Sequence, residues 1–122
     1  MSASLNRIII YAKDMQKMAA FYEKYFDFVA NHLENEKEIE LNPINNGIQI
    51  RLLQAAKSVK QGQVLVKLVF DVESVEEFVT KSKLTGLSFG KIHKANGYSY
   101  ANTKDTGGNN LQVSSRAFKK DS

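Results

Sequence analysis

Apolar and polar positions along this chain fall into two blocks that repeat one another's order. Leu5 to Ala12 is a β-branched apolar run and predicts a strand. Asp14 stands where a helix N-cap belongs. Met15, Met18, Ala19, Tyr22 and Phe26 then recur at helical spacing, so they form the predicted buried face. Asp27 falls where that helix must stop, and Asp tolerates the left-handed backbone of a helix end better than most residues. Strands are predicted at Phe28–Leu33 and Glu36–Asn42, a turn at Pro43–Gly47, and a closing strand at Ile48–Leu53.

Gln54 to Gln63 is polar, carries Lys57 and Lys60, and lacks an amphipathic stripe, so it reads as a connector. The order then starts again. Val64–Val72 predicts a strand, Ser74 with Glu77 a capping box, and Val75, Phe78, Val79 and Ser82 one helix face. Gly86 is the expected left-handed stop. Strands at Phe89–His93 and Tyr98–Ala101 flank Ala95-Asn96-Gly97, whose Asn-Gly pair is a hairpin signal. Asp105 to Asn109 is a turn, Asn110–Ser115 the last strand, and Lys119–Ser122 a frayed tail.

The two blocks also match in detail. Arg7 to Asp14 aligns with Lys67 to Ser74, and Asn46-Gly47-Ile48-Gln49-Ile50 with Asn109-Asn110-Leu111-Gln112-Val113. A repeat of about sixty residues is too long for a solenoid unit and suits a duplicated supersecondary module. The expected fold class is α+β, built as two tandem βαβββ modules. A chain of 122 residues fits one domain: module one over 4–54, a connector over 55–62, module two over 63–116 and a tail over 117–122.

Composition narrows the function classes. Hydrophobic residues make up 43% and aromatic residues 10% of the chain, which is ordinary globular usage. No apolar run approaches the ~20 residues that span a bilayer, and no charged-then-apolar leader precedes the first strand. The absence of cysteine excludes disulfides, thiolate metal sites and cysteine nucleophiles, and makes the cytoplasm the expected compartment. Net charge is +4, but the bases are scattered apart from Lys119-Lys120, so neither nucleic acid nor a membrane is an expected partner.

Three stretches carry a likeness to a known family. Arg7 to Asp14 followed by Phe21-Tyr22, then Lys67 to Phe78, then Asp105 to Val113 stand in family order. Together they resemble the glyoxalase, bleomycin-resistance and extradiol-dioxygenase superfamily, the vicinal oxygen chelate fold. Thr106 replaces the Pro usual in that family's terminal turn. The resemblance implies a curved mixed sheet around a cavity, a small-molecule ligand, and a homodimer in which a second chain completes the cavity.

Metal-dependent members of the family draw one ligand from each opening and each closing strand. Carried over, those four slots hold Arg7, Gln49, Lys67 and Gln112. Arginine stays protonated and has no free lone pair, and lysine ligates only after losing a proton. Two amide oxygens remain, a poor set for a divalent transition metal. The resemblance therefore implies a member with no metal and no cofactor. His32 and His93 with Glu40 form a weaker metal candidate, against which both histidines read as solvent-facing strand residues. Asp105 with Gly107, Gly108 and Asn109 is explained by turn geometry, without calcium or phosphate.

If Arg7 and Lys67 face the cavity, each brings charge into a partly desolvated space. An internal acid such as Glu38, Glu40 or Asp71 must then compensate, or an acidic ligand. The alternative is that both cations are salt-bridged across the sheet, or lie out of the cavity altogether. Gln49 and Gln112 add amide groups that fix a carboxylate or carbonyl. Tyr98 and Tyr100 alternate with Ser99 and so share one side of their strand, either the cavity side or the helix side. The first reading of function is metal-independent binding of a small, anionic molecule. The rivals are a lyase, isomerase or dioxygenase-type enzyme with an atypical site, and a structural or regulatory dimerisation domain.

Overall fold

The apolar run opening the chain forms β1 (Arg7–Ala12), and a helix follows at once, α1 (Met15–Phe26). Asp14 starts that helix by accepting the Lys17 N–H on its carboxylate at 3.0 Å. Asp27 ends it in the left-handed region, with φ 56° and ψ 47°. An Asp14→Ala variant is expected to lose about 1 kcal/mol in a urea titration, and Asp14→Ser to recover most of it. β2 (Phe28–His32), β3 (Glu38–Pro43) and β4 (Gln49–Gln54) complete a four-stranded sheet in the order β1-β4-β3-β2. The β1–β4 pair is parallel and the other pairs antiparallel.

The second half repeats this order. β5 (Lys67–Asp71), α2 (Val75–Leu84), β6 (His93–Ala95), β7 (Tyr98–Lys104) and β8 (Asn110–Ser114) give a sheet in the order β5-β8-β7-β6. Again only the opening and closing strands run parallel. The computed structural model describes residues 5–33, 37–60 and 66–119 of the chain, which divides into two compact units, Met1–Gln61 and Gly62–Ser122. The expected strand starts at Glu36 and Val64, the connector's end at Gln61–Gln63 and the tail from Lys120 lie outside the described residues. No helix among the described residues is long and apolar enough to cross a membrane.

Each sheet packs one face on its helix. In module one, Met18, Tyr22 and Phe26 of α1 are buried with Ile10, Ile39, Leu41, Ile50 and Leu52 from the strands. Tyr22 is wholly buried, and its ring meets those of Phe21 and Phe28 edge-on. Module two has the thinner helix contribution. α2 buries only Val75 and Ser82, over Ala101, Leu111 and Val113. Ser74 caps it by accepting the Glu77 N–H at 3.2 Å, and Gly86 takes φ 110° just past its end. Glu76, in the first turn, is held below the usual carboxylate range, chiefly by its backbone N–H and then by Lys94. That interaction is present at neutral pH and is lost as pH falls through the lowered carboxylate pKa.

One expectation about module two needs correction. Phe89–His93 does not form a strand, and pairing begins only at His93. The Phe89 ring instead meets Phe78 of α2 edge-on, with centroids 6.1 Å apart, so its apolar character serves the helix contact. Gly90 and Ser88 still touch β7 through single hydrogen bonds to Asn102 and Thr103. The hairpin expected at Asn96-Gly97 does form, with β6 and β7 antiparallel on either side of it and Gly97 at φ 86°.

Candidate functional site

Successive strand side chains point to opposite faces, so each module has a second face turned away from its helix. In module one that face carries Arg7, Ile9 and Tyr11 from β1 beside Gln49 and Arg51 from β4. Arg7 Nε donates to Gln49 Oε1 at 3.1 Å, and Gln49 Nε2 donates to Asn42 Oδ1 at 2.8 Å. Glu38 is ion-paired with Arg51, and Glu40 accepts from Asn31 Nδ2 at 3.1 Å. These acids therefore serve partners other than Arg7.

Module two carries a cluster of the same composition. Lys67 Nζ donates to Asn102 Oδ1 at 3.2 Å, and Gln112 Nε2 donates to the same oxygen at 2.9 Å. The two glutamines are not in strictly equivalent register. Gln49 stands opposite Arg7, whereas Gln112 stands opposite Val69 and Lys67 opposite Asn110. Neither Arg7 nor Lys67 forms an ion pair among the described residues, so the salt-bridged alternative for them is not what this geometry contains.

Hydrogen-bond accounting gives these clusters their chemical character. The oxygens Gln49 Oε1, Asn42 Oδ1 and Asn102 Oδ1 are already accepting within the clusters. Among the described residues, the Arg7 Nη groups, Asn42 Nδ2, Asn102 Nδ2 and two of the three Lys67 N–H groups remain as donors. Gln112 Oε1 accepts no hydrogen bond within its cluster, but the unused donors outnumber it, and both clusters are suited to an oxyanion or carbonyl oxygen.

In module two the cluster opens into a groove of about 670 Å³. β5 lines it with Lys67, Val69 and Asp71, β8 with Gln112 and Ser114, and β7 with Tyr98 and Tyr100. Arg116 and Ala117, from a short 3-10 turn over Arg116–Phe118, supply one rim. Ser115 holds that turn against β7, since its hydroxyl accepts the Ser99 N–H at 3.0 Å and its own N–H donates to the Ser99 carbonyl. The tyrosines are braced from both ends. His93 stacks on Tyr100 at 4.9 Å with planes 17° apart, and the Arg116 guanidinium sits 5.5 Å over Tyr98. The volume falls within the range of ordinary small-molecule sites.

Lys67, Gln112, Tyr98 and Tyr100 therefore gather on the groove of module two, while Arg7 and Gln49 meet on module one. The residues Asn42, Asn102, Ser114 and Arg116 were not singled out from the sequence. Alternation would have found Asn102, two places beyond Tyr100 on the same face.

Arg7, Gln49, Lys67 and Gln112, in the slots of the family's metal ligands, are a poor donor set for a metal. Arg7 and Lys67 act as hydrogen-bond donors, and the oxygen each donates to belongs to an amide. Among the described residues no three His, Cys, Asp or Glu side chains come together. His32 is exposed on β2 and pairs in register with Ile39, away from Glu40, which pairs with Asn31. Asp105 is buried and spends its carboxylate on the turn, accepting from the Gly107 and Asn109 N–H groups at 2.9 Å each.

Similar solved structures span nearly the whole chain. UcmS2 is 19% identical with a TM-score of 0.80, covering 94% of this chain and 99% of its own. TnmS3, an antibiotic binding protein from Streptomyces sp. CB03234, is 14% identical with a TM-score of 0.77, covering 93% and 96%. FosX, a fosfomycin resistance protein from Listeria monocytogenes, is 19% identical with a TM-score of 0.76, covering 93% of each. At these identities the likeness establishes a glyoxalase-like fold and no particular ligand. Comparison with curated protein sequences finds no match. The family model that matches, over residues 4–113, is the Glyoxalase/Bleomycin resistance protein/Dioxygenase superfamily, and the chain belongs to it.

Proposed function

We propose that this protein binds a small acidic molecule without a metal, using the groove of module two. The observation that carries the reading is the donor-rich cluster of Lys67, Asn102 and Gln112 at the edge of an open, partly aromatic groove. A carboxylate seated there would accept charge-assisted hydrogen bonds from Lys67 and meet the Asn102 amide. Tyr98 and Tyr100 would bury its apolar part, with Gln112 orienting it. Arg7 and Gln49, with Asn42, form a cluster of the same build in module one and would hold an acidic group in the same way. That antibiotic binding and fosfomycin resistance proteins share the fold supports a binding role. The lack of cysteine favours a reducing compartment such as the cytoplasm.

A thermal-shift screen of acidic metabolites on chelator-treated protein tests this. A ligand at a hundred times its Kd adds ~2.7 kcal/mol to stability, a rise of several degrees in Tm. The rise is expected to shrink in high salt, because the open groove leaves the charges screened. Neutral or cationic compounds stabilising the protein more than acids would count against the reading.

Two copies are expected to pair. Closed two-fold dimers are the commonest oligomers, and module one exposes Ile9, Tyr11 and Val29 on the strands away from α1. Light scattering at micromolar protein should give twice the 13.7 kDa chain mass, and a monomer mass would contradict it.

A further inference from the structure

We infer that the acid bound in the module two groove is a planar, conjugated one, whose ring system packs against Tyr98 and Tyr100. The inference rests on the acid-binding reading above and names the substrate class. Its basis is the division of the groove into a polar edge and an aromatic wall. Across the sheet, Val69, Gln112 and Asn102 share one row, and Asp71, Ser114, Tyr100 and His93 the next. Lys67 reaches Asn102 from β5, across β8, which concentrates the unused donors in the first row.

The second row, with Tyr100, and the row beyond it, where Tyr98 stands opposite Ala95, form an aromatic and pre-set wall. His93 covers one face of Tyr100 and Arg116 one face of Tyr98, while the two tyrosine rings lie 6.3 Å apart with planes 35° from parallel. A ring braced on one side loses little freedom when a ligand meets its remaining surface, so the ordering cost of binding is low. Successive rows on one face of a strand are about 7 Å apart, so an acid group in the first row puts an attached bicyclic ring in the second. Val69 and Ala117 supply the remaining apolar contact. An aliphatic acid would bury similar area but would not match the ring quadrupoles. Asp71, next to Ser114 in register, stands in the ring's own row, so it disfavours a second acid group on the ring and keeps the preference for one acid per ligand.

Calorimetric titration of the full chain with three probes tests this: naphthoate, its saturated analogue decahydronaphthoate, and neutral naphthamide. Naphthoate is expected to bind about tenfold tighter than decahydronaphthoate, a ratio that matches an aromatic contact of ~1.4 kcal/mol. Tyr100→Leu, and independently Tyr98→Leu, should reduce that ratio towards one while the circular dichroism spectrum persists. Lys67→Met should weaken both acids alike and leave the ratio intact. Equal affinity for the two acids overturns the planar-ligand inference but leaves the acid-binding reading standing. Naphthamide binding as tightly as naphthoate overturns the acid-binding reading, and no binding by any probe overturns both.

Discussion

Replacing Asp105 by Ala is expected to destabilise the protein by about 3 kcal/mol, lowering Tm by on the order of 10 °C. The turn between β7 and β8 is built around this one carboxylate. Oδ1 accepts the N–H groups of Gly107 and Asn109, and Asn109 Nδ2 reaches both carboxylate oxygens at 3.1 and 2.9 Å. Asp105 is 7% exposed, so water cannot readily replace those bonds. Truncation leaves several donors short of partners, and each such loss costs about 1–3 kcal/mol where water is excluded. Asp105→Asn keeps one acceptor oxygen and should cost markedly less. Urea unfolding of the two variants measures the difference. A Tm for Asp105→Ala within a degree or two of the parent would show that the turn holds without its carboxylate.

The second large effect is on affinity and should leave stability alone. Lys67→Met keeps side-chain length, and Lys67 is exposed, so the fold loses only an exposed hydrogen bond to Asn102. An acid seated at Lys67 loses a charge-assisted hydrogen bond, worth about 1.5–3 kcal/mol, or roughly tenfold to a hundredfold in Kd. Titration of an acidic ligand found by screening, carried out in low and high salt, reads this directly. The parent protein should show a salt-dependent Kd, and Lys67→Met a weaker and flatter one. Equal affinity and equal salt dependence in the two proteins would remove Lys67 from the site.

How far the sequence could be read depends on which physical signal each feature leaves. Helix starts and stops were legible because Asp14, Ser74, Asp27 and Gly86 are residue types that a cap or a left-handed end requires. The apolar run at Phe89 misled, because apolar character records burial and not what the residue is buried against. Phe89 meets a helix ring and makes no ladder. Register was invisible for a related reason. A one-residue slip moves every side chain to the other face, but a two-residue slip leaves all of them where alternation put them. The offset of Gln112 from Gln49 is a slip of that kind. Alternation did put Tyr98 and Tyr100 on one side, but it could not say which side until the neighbouring Ala101 proved to be the buried one. Arg116 left no signal, since it stands just past the last predicted strand, at the very end of module two, where no periodic pattern covers it.

The central claim is that an acid binds the open face of module two without a metal, and amide chemical shifts test it residue by residue. Chelator-treated, isotope-labelled protein would be titrated with naphthoate. Shifts confined to Lys67–Asp71, Tyr98–Asn102 and Gln112–Ala117, saturating with one Kd, are the result expected here. Binding that appears only after a divalent metal is restored, or shifts that avoid these residues, would contradict it.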